Sequence, residues 1–205
     1  MLFRSLFDFW FEYYKSVPKG FTRVLGKLAE LSDSGIKIYF FVGNHDYWTR
    51  DYFQKEIGME VLKKPTEFKI NNKLFFIGHG DGLGPGDFKY KFLKRIFRNP
   101  LFIFLFRINY PWFGIPLGNF FSRKNKILSG NNIKFKSKEN EILYHFCKKK
   151  LNIKHYDFFV FGHRHLPLKI ELGNNSYYFN TGDWINHYSF LHFKDDSLEL
   201  KYFKN

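Results

Sequence analysis

Residues 40–48 read FFVGNHDYW: an apolar run, a glycine, then Asn44, His45 and Asp46 in succession. The same design occurs twice more, as LFFIGHGD at 74–81 and FFVFGHRH at 158–165. Each begins as a buried strand, turns at a glycine and ends on side chains able to bind a metal. In α/β proteins, ligands bind in the loops beyond the C-terminal ends of sheet strands. Glycine lets the backbone turn sharply there and lets an ion or a phosphate approach closely. If the three strands are neighbours, Asn44, His79, His163 and His165 converge on one point. His163 and His165 are two apart, so an extended segment carries both imidazoles on one face. Imidazole nitrogens together with an amide oxygen form a mixed donor set that suits Mn, Fe, Zn or Co better than Ca.

The stretches between these loops have clear periodicity. GFTRVLGKLAELSDSG at 20–35 places Phe21, Val24, Leu25, Leu28 and Leu31 at helical spacing and stops at a glycine. KEIGMEVL at 55–62 reads as a short helix and an edge strand, and TEFKI with KLFFIGHG flank an NNK hairpin turn. Residues 87–108 are helical in pattern up to Asn99, with Pro100 marking a break. SKENEILYHFCKKKLNI at 137–153 predicts a helix with a serine cap and a basic last turn. SYYFNTGDW and SFLHFKDDSLELKYF predict closing antiparallel strands around a DDS turn. Strand, helix, strand, helical insertion and a β finish imply a layered α/β or α+β domain.

The chain has 205 residues, enough for one domain with a sizeable core. Aromatics make up 22% of it, 29 of them Phe, more than one core needs, so part of that surface meets something other than protein interior. A net charge of +14 favours anionic partners: nucleic acid, an anionic membrane face or a phosphorylated substrate. One cysteine, Cys147, leaves no disulfide within the chain and suits a reducing cytosol. The opening MLFRSLFDFWFEYYK is broken by Arg4 and Asp8 and does not read as a secretory signal. No charge-free stretch reaches the roughly 18 apolar residues that a spanning helix needs.

GNHD at 43–46, the lone histidine of GHGD at 78–81 and GHRH at 162–165, in this order, resemble the calcineurin-like metallophosphoesterases. That family's signature runs D-x-H, G-D, G-N-H-[DE], a lone His and G-H-x-H. FDFWFEYYKSVPKGF, GHGDGLGPGD, IFRNP and TGDWIN are similar to one branch of it, the UDP-2,3-diacylglucosamine pyrophosphatases of lipid A synthesis. The resemblance implies a β-sandwich flanked by helices, as one domain over 1–205 with a helical cap at about 87–136. It implies Mn-dependent attack of water on the pyrophosphate of UDP-2,3-diacylglucosamine, giving UMP and 2,3-diacylglucosamine 1-phosphate. Carried over by position, Asn44, His79 and His163 ligate the second metal and His165 belongs to the first. His45 faces the scissile phosphate and Asp46 orients it. The aromatic cap holds acyl chains, and Lys91, Lys94, Arg95, Arg98 and Arg123 meet anionic headgroups. The implied location is cytoplasmic, peripheral on the inner membrane.

The pattern departs from the family near the start. No D-x-H strand precedes GNHD, and Arg4 and Ser5 stand where G-D is expected. The expectation is a fragment whose true start lies upstream, with the first strand missing, at most one partial metal site, weak single-metal binding and little or no turnover. A degenerate non-catalytic copy and a generic phosphodiesterase of the same superfamily are alternatives. A basic nucleic-acid-binding protein is another, although no usual nucleic-acid module is visible and the three glycine–ligand loops would then be unexplained, so no nucleic-acid partner is expected.

Overall fold

The structure, a computed structural model, describes residues 2–3, 6–7, 10–13, 15–84, 88–108, 135 and 137–203. The chain divides into two compact units, one of Met1–Lys63 with Phe88–Asn131 and one of Lys64–Asp87 with Asn132–Asn205.

The first unit has a parallel sheet in the order β1 (Leu2–Phe3), β2 (Tyr39–Phe41), β3 (Glu60–Leu62), with β3 at an edge as the pattern implied. Helix α1 (Thr22–Asp33) turns Leu25 and Leu28 inward, the face the periodicity picks out. They join Phe7, Trp10, Ile38, Phe40, Phe53, Ile57 and Met59 in one core. Phe7 stacks on Phe53 of α2 (Tyr52–Lys55) with ring centroids 5.4 Å apart. Each such phenyl ring taken out of water contributes about 1.5–3 kcal/mol, which is how an aromatic-rich segment anchors a small sheet. Pro100 does break the helix, but a second one starts on it: α3 (Phe88–Phe97) is followed by α4 (Pro100–Ile108). Proline suits the first turn, where its missing N–H has no helical acceptor. Phe97, Ile103 and Phe106 pack on Phe11, Tyr13 and Trp48, and the Trp48 indole N–H donates to the Phe97 carbonyl at 2.8 Å.

The second unit has a five-stranded mixed sheet in the order β4 (Thr66–Ile70), β5 (Lys73–Ile77), β6 (Phe158–Phe161), β8 (Ser176–Thr181), β7 (Pro167–Gly173). The β4–β5 hairpin turns at Asn71 and Asn72. β6 is buried along its whole length, as a central strand covered on both faces must be. On one face, Phe76, Phe159, Phe161 and Tyr178 pack against Leu143 and Cys147 of α5 (Ile142–Leu151). On the other, Phe75 and Phe158 meet Phe193 of β9 (Ser189–Lys194), which pairs antiparallel with β10 (Ser197–Tyr202).

Two expectations need correction here. β8 is not simply a closing antiparallel strand: it lies parallel to β6 and antiparallel to β7. The helix at 137–153 has no serine cap. Ser137 precedes a single 3-10 turn, Lys138–Asn140, and Glu141 stands at the start of α5. Among the described residues, no helix is long and apolar enough to cross a membrane.

Candidate metal centre

His79 and His163 follow β5 and β6, which are parallel neighbours with Ile77 opposite Val160. The ladder continues past the strands. The Gly78 N–H donates to the Val160 carbonyl at 3.1 Å, and the Gly162 N–H to the His79 carbonyl at 2.9 Å. The two loops therefore leave the sheet side by side, and the imidazole centroids are 5.4 Å apart at 63°. Gly80 makes this approach feasible. Its φ is +104°, and a Cβ there would stand 3.2 Å from Leu143 Cδ1, 3.3 Å from Phe161 Cβ and 3.6 Å from His163 Cβ.

The GHRH loop is wound tightly. His163 and His165 have φ of 63° and 52°, a left-handed conformation that L side chains adopt at a cost. The Arg164 N–H donates to the Gly162 carbonyl at 2.7 Å, closing a three-residue turn centred on His163. The same carbonyl also accepts from the buried Asn180 amide. Arg164 Nε donates to Glu141 Oε2 at 3.2 Å.

His165 Nδ1 lies 3.7 Å from Asp183 Oδ2, and His187 Nδ1 lies 3.5 Å from Asp183 Oδ1. Burial alone would raise the Asp183 pKa. The N–H groups of Asn186, His187 and Ile185, all donating to Oδ1, outweigh it and hold the carboxyl down to about 2. Asp183 is thus an ionised carboxylate between two imidazoles. Gly182 delivers it: its φ is +72°, and a Cβ there would run into the Ser189 hydroxyl and Pro167. The sequence reading omitted Asp183 from the site. Its signal was present, because SYYFNTGD repeats the design of an apolar run, a glycine and a ligand-type side chain.

Asn44, His45 and Asp46 sit in the first unit, in a compact turn after β2. The Asp46 N–H donates to the Gly43 carbonyl at 3.2 Å, and the Thr49 N–H to the Asp46 carbonyl at 3.2 Å. Asp46 is fully buried, whereas Asn44 and His45 are half-buried. Glu12 braces the segment that follows, at the start of α2. Its Oε2 accepts from the N–H groups of Arg50, Asp51 and Tyr52 at 2.7, 3.0 and 3.3 Å, and its Oε1 from the Trp10 indole at 3.1 Å. Arg98 and Lys94 lie over the Tyr47 ring, at 4.6 and 5.6 Å from its centroid. Lys91 is half-buried and Arg95 exposed. Arg123, like Arg4 and Ser5, lies outside the described residues.

Among the described residues no group of three His, Cys, Asp or Glu stands together as a ready metal cage. What the second unit assembles is two pairs, His79 with His163 and His165 with Asp183. Their nitrogen and oxygen donors fit a borderline divalent cation, and the bare backbone at Gly80 keeps the space beside His163 free of a side chain.

The fold and site define a class, a mixed α/β protein with histidine loops at the C-terminal ends of two neighbouring parallel strands. Over 96% of its length the chain is 38% identical to the UDP-2,3-diacylglucosamine hydrolase of Porphyromonas gingivalis, spanning 80% of that protein. The chain belongs to the UDP-2,3-diacylglucosamine hydrolase family. Relatives of the same name from Ectopseudomonas mendocina and Pseudomonas fluorescens are 30% and 32% identical over 78% and 58% of the chain. The matches span 66% and 46% of those two proteins. No family model matches the chain. The zinc complex of Vps29 from Entamoeba histolytica overlays with a TM-score of only 0.34 at 14% identity, over 95% of this chain and 93% of that one, too slight a likeness to add weight.

Proposed function

We propose that the protein hydrolyses the pyrophosphate bond of UDP-2,3-diacylglucosamine, releasing UMP and 2,3-diacylglucosamine 1-phosphate, on the cytoplasmic face of the inner membrane. The kinship with the Porphyromonas gingivalis hydrolase carries this reading, since it runs along nearly the whole chain. The paired imidazoles of His79 and His163 supply the chemical reason, because neutral histidines are the commonest ligands of catalytic divalent ions. Manganese is the proposed ion; when bound, such an ion lowers the pKa of its water and offsets charge on the phosphoryl oxygens. His79, His163 and His165 are the groups of the second unit that would hold it. Asp183 would keep His165 in one orientation, as a carboxylate beside a ligating histidine does. In the first unit, His45 is the proposed proton donor to the leaving phosphate. Arg98 and Lys94, over Tyr47, add positive charge beside the same loop, favouring an anionic substrate.

The cap suits the lipid half. Phe88, Phe92 and Leu101 are 81%, 67% and 64% exposed on α3 and α4, next to a row of basic residues. Large apolar side chains this exposed, on two successive helices, mark a surface with a use for them. These side chains are proposed to take the acyl chains and to rest on an anionic bilayer.

The test is UMP release from UDP-2,3-diacylglucosamine by the purified protein. Release should stop with EDTA, return with Mn and vanish in His163→Ala. Folded protein that releases no UMP with Mn, Mg or Co would refute the assignment. Flotation with phosphatidylglycerol liposomes at low salt, lost as salt rises, is expected of the membrane reading; protein that stays unbound at low salt would end it.

A further inference from the structure

We propose that Glu141 is a positioning residue for the metal centre: through Arg164 it fixes the left-handed turn that presents His163 and His165. The inference rests on reading 162–165 as a metal-ligand loop.

Glu141 is a surprising residue to bury. It is 2% exposed, and its side chain makes no capping hydrogen bond at the start of α5, where an acidic side chain would ordinarily cap. Oε2 accepts from Arg164 Nε instead, and Oε1 has no hydrogen-bond partner among the described residues. A buried carboxylate is costly even when paired, and replacing such a pair by apolar groups is often neutral for stability. Fold stability alone is therefore a poor reason for Glu141 and Arg164.

The geometry points to another. Arg164 is the residue between the two histidines, and both neighbours hold a φ that would relax in a loop left to itself. The loop is gripped on one side by the Asn180 amide at the Gly162 carbonyl. Glu141 grips the loop at Arg164, and it is itself seated on a rigid support: α5 is docked into the core by Leu143 and Cys147, beside Phe161 of β6. The guanidinium offers a planar donor at a fixed angle, so the pair sets direction as well as distance. With the Arg164 side chain held, the backbone that carries His163 and His165 cannot unwind.

Three variants separate positioning from support: Glu141→Gln, Arg164→Lys and the double change Glu141→Met with Arg164→Met. The double variant keeps volume and removes both charges. It should melt within a few degrees of the wild type. Its Mn affinity by calorimetry should fall about tenfold or more, the usual penalty for losing a group that orients a metal ligand. The amides of 163–166 should exchange hydrogen faster. Arg164→Lys should fall between, keeping charge without the fork. A double variant with wild-type Mn affinity and unchanged exchange would overturn the proposal. If that variant does not fold, Glu141→Gln is read by the same two measurements. His163→Ala is the control for the underlying reading. If it binds Mn as the wild type does, the loop is not a metal loop. Amide exchange in the Glu141 variants then still decides whether Glu141 holds the turn.

Discussion

His79 and His163 meet because the His79 carbonyl accepts the Gly162 N–H at 2.9 Å, which carries the β5–β6 ladder beyond the strands and into the loops. The pairing of the imidazoles is thus a consequence of strand register, set by the Phe-rich core on both faces of β6. Flexible side chains did not have to find each other.

Gly80 is the residue that this arrangement can least afford to lose. Gly80→Ala adds a methyl 3.2 Å from Leu143 and 3.3 Å from Phe161 Cβ at a φ of +104°. The expected cost is about 1–3 kcal/mol of stability, from strain and crowding together. The displaced loop should also bind Mn more weakly. Urea unfolding and calorimetry check the two effects separately, and wild-type values in both would contradict this account.

The three glycine–ligand loops were legible because each follows an unbroken apolar run, a local signal. The α1 face and the β4–β5 hairpin were legible for the same reason. β7 was not foreseen: PLKIELG begins with proline and follows GHRHL without a turn signal. The parallel pairing of β8 with β6 was hidden because the partner of Tyr177 is Phe158, 19 residues earlier and beyond any local pattern. Glu12 and Glu141 look like surface acids in sequence. Only their distant donors, the Arg50–Tyr52 backbone and Arg164, make burial tolerable.

Glu12→Ala should show how much the start of α2, just beyond the GNHD turn, depends on its brace. The change strands three backbone N–H groups at the start of α2 and the buried Trp10 indole. Losing hydrogen bonds to a charged acceptor in such a place costs about 2–3 kcal/mol. Glu12→Gln retains an acceptor oxygen and should lose less. Chemical denaturation of both variants measures the difference, and equal losses would mean that an amide oxygen cannot stand in for the carboxylate as the acceptor of these bonds.

Cys147 is expected to be inert in the folded protein. It is fully buried, and burial pushes its thiol pKa well up, so almost no thiolate is present at pH 8. A thiol reagent such as DTNB should react with the native protein only at the rate of opening, and within seconds in denaturant. Rapid native labelling would show that α5 does not stay docked on Phe159 and Phe161.

Asp157 provides a test of acid sensitivity away from the site. It precedes β6 and ties that strand to β5, accepting the Leu74 N–H at 2.8 Å and lying 3.3 Å from Lys73 Nζ. Burial alone would raise its pKa; the Leu74 N–H and the Lys73 ammonium outweigh burial and lower it from the usual 3.8. A carboxyl whose pKa is depressed on folding contributes stability above its unfolded pKa and loses it as pH falls through the native value. Asp157→Ala should therefore be less stable than the wild type by about 1–3 kcal/mol at pH 6–7. The gap should hold down to about pH 4 and narrow below it, as the wild-type carboxyl takes up its proton. Thermal melts of both proteins across pH 2–7 give the curve. A gap that stayed constant to pH 2 would mean that Asp157 acts through the shape of its turn and not through its charge.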